Sequence, residues 1–110
     1  MDMLSAFDSA ATKFPAKPAL ISCGTGPDDT AISYAELAES SRRAATVLAG
    51  RGIGPGDRVA LMCYNTTGFV VAMLGTWRLG ATVVPVNHKL APPEVRDILD
   101  HSGASAIVID

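Results

Sequence analysis

From Arg58 onward, three short apolar runs alternate with two helix-patterned segments, and this order constrains the fold more than any other feature of the chain. Val59-Ala60-Leu61-Met62-Cys63 is continuously apolar, as expected of a strand covered on both faces in a parallel sheet. A helix is expected over residues 67–79, capped by Asn65 or Thr66. Thr82-Val83-Val84-Pro85-Val86 reads as a second strand, at a strand end or sheet edge because its proline has no N–H for the ladder. Pro92-Pro93-Glu94 opens another helix with a first-turn proline and an acid suited to the helix dipole. Val95, Ile98 and Leu99 form its inner face and Ser102-Gly103 ends it. Ala106-Ile107-Val108-Ile109 is the last strand. Strands separated by helices call for crossover connections, so the class is α/β with a βαβαβ parallel sheet.

The N-terminal half adds a helix, a hairpin and a second helix. Leu4, Phe7, Ala11 and Phe14 recur at helical spacing before Pro15, giving a short helix over residues 3–14. Residues 19–23 and 30–33 are strand-like and are joined by Gly-Thr-Gly-Pro-Asp-Asp, a hairpin turn. Ser33-Tyr34-Ala35-Glu36 has the capping-box form, in which Ser and Glu side chains each take a free backbone N–H of the first turn. The helix it opens runs to about Gly50, with Tyr34, Leu37, Ala38, Ala44, Ala45 and Leu48 on one face and Glu39, Arg42 and Arg43 on the other.

Arg51-Gly52-Ile53-Gly54-Pro55-Gly56 raises the question of a phosphate cradle, since glycines can bare backbone N–H groups to an anion. The order of elements argues against it. The glycines follow a helix and precede a strand, whereas dinucleotide cradles follow a strand and open a helix. Gly50 or Gly52 is expected as a left-handed helix cap, and Pro55-Gly56 as the turn into the sheet.

Other chemistry is sparse. The carboxyl ends of the strands carry Tyr64-Asn65, Asn87-His88-Lys89 and Asp110, where ligands of open α/β sheets bind. His88 has no partner acid or nucleophile near it in sequence, and His101 suits a helix C-terminus. Cys23 and Cys63 stand alone, without the spacing of zinc or redox sites, and read as reduced core thiols. Net charge is −2 and the 9 Lys and Arg residues are scattered, which disfavours nucleic acid. There is no secretory signal, and the uncharged stretch Val59–Trp77 is broken by Asn65-Thr66-Thr67-Gly68, so no transmembrane segment and a cytoplasmic location are expected.

Almost the whole chain resembles the N-terminal segment of the adenylate-forming enzymes, among them acyl-CoA synthetases, peptide-synthetase adenylation domains and luciferases. Ile32-Ser33-Tyr34-Ala35-Glu36-Leu37 is similar to the family's first core motif, and Leu79-Gly80-Ala81-Thr82-Val83-Val84-Pro85-Val86-Asn87 to the second. Gly56-Asp57-Arg58-Val59 and Asn65 fall at matching intervals. Asn87-His88-Lys89-Leu90 followed by Glu94 looks most like bacterial fatty-acyl-CoA and aryl-CoA ligases, while Gly68 stands where such ligases often have an acid.

The resemblance implies residues 1–110 as an N-terminal subdomain fragment of a larger ligase. That ligase would join a carboxylate to ATP as an acyl-adenylate, with magnesium assisting, and pass the acyl group to CoA. The family's phosphate loop, nucleotide motifs, hinge and catalytic lysine lie downstream, so no catalytic residue, no metal site and no bound cofactor are expected in the fragment. Lys89 occupies the place of a basic residue that meets CoA phosphates in some aryl-CoA ligases. The expected partner is the remainder of the ligase. A different reading is a free-standing interaction module related to the ligase N-terminus. Self-association is expected because Phe69, Val70, Met73, Leu74 and Trp77 exceed what 110 residues can cover.

Overall fold

A computed structural model describes residues 2–22, 30–64 and 66–109. Among the described residues, two sheets and four helices follow the expected order. Helix α1 (Met3–Lys13) leads into strands β1 (Pro18–Ser22) and β2 (Thr30–Ser33), then helix α2 (Tyr34–Gly50). Strand β3 (Arg58–Met62), helix α3 (Thr67–Arg78), strand β4 (Thr82–Pro85), helix α4 (Pro92–Ser102) and strand β5 (Ala106–Ile109) complete the described chain. β1 and β2 pair antiparallel, and β3 lies between β4 and β5 in a parallel sheet of order β4-β3-β5. Pro85 falls on an edge strand, as its missing N–H requires. Cys23, the hairpin turn, Asn65 and Asp110 lie outside the described residues.

The central strand explains its own composition. Val59, Ala60 and Leu61 have no exposed surface, because neighbours pair on both edges and helices lie over both faces. Val59, Leu61 and Cys63 point to one face, with Ala72 of α3, Ile53 and Ala81. Met62 points to the other, where it lines a groove with Val95 and Leu99 of α4 and Ile107 and Ile109 of β5. Period-two alternation thus separates an α3 face from an α4 face. Burying each large aliphatic side chain contributes about 1.5–3 kcal/mol.

Local caps set the element ends. Asp2 caps α1, accepting from the Ser5 N–H at 2.7 Å, and that bond holds its carboxyl below the ordinary carboxylate value. Ser33 caps α2 by accepting from the Glu36 N–H at 3.1 Å, but only half the expected box forms. The Glu36 carboxylate accepts from the Ser33 hydroxyl at 3.0 Å rather than from its backbone N–H. The next two N–H groups, of Tyr34 and Ala35, donate to the carbonyls of Lys17 and Pro15, tying the α1–β1 connection to the start of α2. α3 ends in a Schellman pair, with Gly80 (φ 72°) donating to Trp77 and Ala81 to Thr76. At the start of α4, Glu94 accepts from the Ala91 N–H at 3.1 Å, and Gly103 (φ 70°) closes its end.

Two expectations need correction. Phe14 is not the last residue of α1's apolar face. It sits past the helix end, 45% exposed, with the Lys17 ammonium 4.3 Å above its ring. The apolar side chains of α3 are better covered than its composition suggested. Leu74 is buried and Phe69, Val70, Met73 and Trp77 are half-buried, because the sheet covers one side of the helix and α2 another. The close packing with α2 depends on Gly75. A Cβ there would stand 2.8 Å from the Ala44 Cβ and 3.1 Å from both the Ala45 nitrogen and the Ser41 carbonyl oxygen.

The two glycines of α3 should therefore respond oppositely to alanine. Gly68 is exposed, and its added Cβ would meet nothing nearer than the Thr66 Oγ1 at 3.5 Å. In urea melts, Gly68→Ala should gain roughly 0.5–1 kcal/mol from reduced chain entropy. Gly75→Ala should lose about 1–3 kcal/mol from overpacking. Equal effects would contradict the helix contact.

Candidate functional site

Two places could bind a ligand by position: the glycine-rich connection from α2 to β3, and the rim where the parallel strands end. The connection is built by backbone geometry. α2 finishes in a Schellman motif, in which Gly52 (φ 89°) donates to the Ala49 carbonyl and Ile53 to that of Leu48. Gly52, not Gly50, is the left-handed cap. Gly56 (φ 86°) then turns the chain toward β3.

The loop holds an anion already, and it is the chain's own. The Asp57 carboxylate accepts from the Gly54 N–H at 2.8 Å through Oδ2 and from the Ser105 hydroxyl at 3.1 Å through Oδ1. The Asp57 carbonyl accepts from the Thr82 N–H at 2.9 Å, and the Arg58 carbonyl from the Ser105 N–H at 2.7 Å. Arg58 Nη1 donates to the Ser102 carbonyl at 2.6 Å, at the negative end of α4. Gly-Asp-Arg-Val is therefore a knot that aligns the starts of β3, β4 and β5. A phosphate would have to displace Asp57 and sit at a helix C-terminus, whose partial charge repels it.

At the opposite ends of the strands the side chains face outward. Tyr64 follows β3 and His88 follows β4, and their rings lie 4.3 Å apart at 43°. The Asn87 side-chain oxygen accepts from the Lys89 N–H at 2.9 Å, and its carbonyl accepts from the Leu90 N–H at 3.1 Å. This turn presents Lys89 as an exposed side chain, with no hydrogen bond or ion pair to its ammonium among the described residues. The structure thus brings Tyr64, His88 and Lys89 to one rim. It does not join His101 to them: that side chain is exposed in the last turn of α4. Cys63 is buried, its thiol donating to the Val108 carbonyl at 3.6 Å, as fits a core position. Among the described residues no three His, Cys, Asp or Glu side chains converge as a metal site, and no helix is long and apolar enough to cross a membrane.

Sequence reasoning identified the rim but not the Tyr64–His88 contact, and quoted Asp57 and Arg58 without their role. The available signal for that role was the Pro-Gly-Asp-Arg run at the strand start, with Ser102 and Ser105 bracketing the turn from α4 to β5.

This arrangement is shared with N-terminal parts of adenylation proteins. The N-terminal subdomain of Klebsiella oxytoca NpsA, solved in complex with anthranilyl-AMSN, superposes with a TM-score of 0.88 at 30% identity, covering 98% of this chain and 27% of that one. The N-terminal domain of FACL13 from Mycobacterium tuberculosis, solved with an inhibitor, gives 0.88 at 36% identity over 96% of this chain and 26% of that one. The chain belongs to the AMP-binding enzyme family, whose model matches residues 7–110. It is 38% identical over 108 residues to a long-chain-fatty-acid–CoA ligase of Salmonella typhimurium, covering 97% of this chain and 18% of the relative. Against the long-chain-fatty-acid–CoA ligase FadD13 of M. tuberculosis it is 41% identical over 80 residues, 73% of this chain and 16% of the relative. The chain thus spans less than a fifth of the length of these curated ligases.

The Asp57 knot predicts a stability phenotype. Asp57→Ala removes the partners of Gly54 and Ser105 and should lower stability by about 1–3 kcal/mol, while Lys89→Ala leaves it within about 0.5 kcal/mol. Thermal melts followed by circular dichroism check both. An unchanged melt for Asp57→Ala would remove the knot from the account.

Proposed function

We propose that residues 1–110 are the N-terminal subdomain of an ATP-dependent acid–thiol ligase, which activates a carboxylic acid as its adenylate and transfers the acyl group to CoA. The supporting observation is the similarity to long-chain-fatty-acid–CoA ligases along 97% of this chain, on a fold shared with adenylation subdomains. The substrate class favoured by these relatives is a fatty acid.

The described residues do not fit ATP or magnesium. The glycine connection already holds Asp57, and no carboxylate cluster stands in its place. The rim fits CoA better, since the exposed Lys89 ammonium has the charge and reach for a nucleotide phosphate. The segment's contribution is a rigid sheet that presents this rim to the remainder of the enzyme, which also supplies the cover for its exposed Ile109 and Ile21. Isolated from that cover, the chain self-associates through these apolar side chains.

A chimera tests the reading: these 110 residues replace the aligned segment of the Salmonella ligase. It should retain ATP- and CoA-dependent ligation of a long-chain acid, and a folded chimera without pyrophosphate release would contradict the proposal. In the active chimera, Lys89→Ala should raise KM for CoA roughly threefold to tenfold, equivalent to about 1 kcal/mol for an exposed charge pair, and leave KM for ATP unchanged. Unaltered CoA kinetics would remove Lys89. For the isolated chain, light scattering should show a mass that rises with concentration, and a strictly monomeric mass would count against self-association.

A further inference from the structure

α1 is held differently from α2 and α3. None of its residues is fully buried, while α2 and α3 each contribute several buried side chains. Its half-buried apolar residues are Leu4, Phe7, Ala10 and Ala11, with the Phe7 ring 5.8 Å from that of Tyr34. Its directional tie is polar. Arg78 of α3 grips Asp8 with both terminal nitrogens, at 2.7 and 3.0 Å. The Arg78 Nε donates to the fully buried Ser41 hydroxyl of α2 at 2.8 Å, which fixes the guanidinium on the α2–α3 side. The fork is therefore a fixed receptor, and Asp8 is the group that arrives.

The other end of α1 is anchored. Just after Phe14, the carbonyls of Pro15 and Lys17 accept from the first N–H groups of α2, which fixes the chain past the helix end. Under the free end, Met3, Leu4, Trp77, Gly80 and Ala81 line a groove of about 370 Å³. At 11 residues, α1 is shorter than the ~12–15 needed for a helix to persist alone in water.

We propose that α1 is a strap, hinged after Lys13 and latched by the Asp8–Arg78 fork, whose release bares the Trp77 groove and melts the helix while the α2–α3–sheet body stays folded. The latch is charge-assisted and bidentate, and it is α1's one ion pair to the body among the described residues. Release is local unfolding from the low-stability end of the molecule.

The test uses the 110-residue chain, whose single tryptophan is Trp77. Amide hydrogen exchange by mass spectrometry should show α1 exchanging at least roughly tenfold faster than α2 in the wild type. Asp8→Ala, and more mildly Asp8→Asn, should accelerate α1 a further severalfold while α2 and β3 keep their rates, with acrylamide quenching of Trp77 rising roughly twofold. The double exchange Asp8→Arg with Arg78→Asp should restore slow exchange in α1. Exchange in α1 as slow as in α2, or acceleration by Asp8→Ala that is equal in α1, α2 and β3, would overturn the strap. So would unchanged α1 exchange in both Asp8 variants.

Discussion

The structure depends on the contact between α2 and α3 at Gly75. α3 is apolar on nearly every side, so it needs cover from two directions at once. The parallel sheet supplies one. The other is available because Gly75, Ala44, Ala45 and Ser41 have little or no side chain between the two backbones. That approach places the buried Ser41 hydroxyl against Arg78, which in turn receives α1. It also fixes the end of α2 above the sheet, so the following connection has only a few residues in which to reach β3.

That short connection accounts for its own glycines. Gly52 permits the left-handed exit from α2 and Gly56 the turn into the strand, each at a positive φ that other residues rarely adopt. Asp57 then joins the turn to Ser105, the residue just before β5, while its carbonyl and that of Arg58 register β4 and β5 against β3. A run that looks like an anion cradle is occupied by a carboxylate from within the chain. The end of the sheet that can face a ligand is the other one, with Tyr64, His88 and Lys89, as expected for the carboxyl ends of parallel strands. On the proposed reading, this segment of an AMP-binding enzyme supports chemistry whose ATP-binding groups lie elsewhere.

Local signals made most of the fold legible. Ser33 and Glu36 mark a helix start, Gly52 and Gly103 mark helix ends, and continuous apolar runs mark buried strands, because each depends on residues within one turn or one strand. The inner face of α2 followed from 3.6-residue spacing alone: Leu37, Ala38 and Ala45 are buried while Arg42 and Arg43 are exposed. What stayed hidden joins distant positions. Asp8 meets Arg78 across 70 residues and Asp57 meets Ser105 across 48, and no periodicity encodes such pairs. The cover over α3 was underestimated for the same reason, since Gly75 reads as a weak helix residue until Ala44 is placed opposite it. The rim was legible as a position, from strand direction, but the ring contact between Tyr64 and His88 required coordinates.

The glycine connection is a structural knot closed by Asp57 and not a nucleotide grip. This is tested most directly by titrating the isotopically labelled chain with magnesium-ATP and following backbone amide resonances from Gly50 to Arg58. The Gly52, Gly54 and Gly56 amides should keep their shifts throughout the titration. Saturable shifts centred on the Gly54 amide, matched by loss of its bond to Asp57, would contradict it.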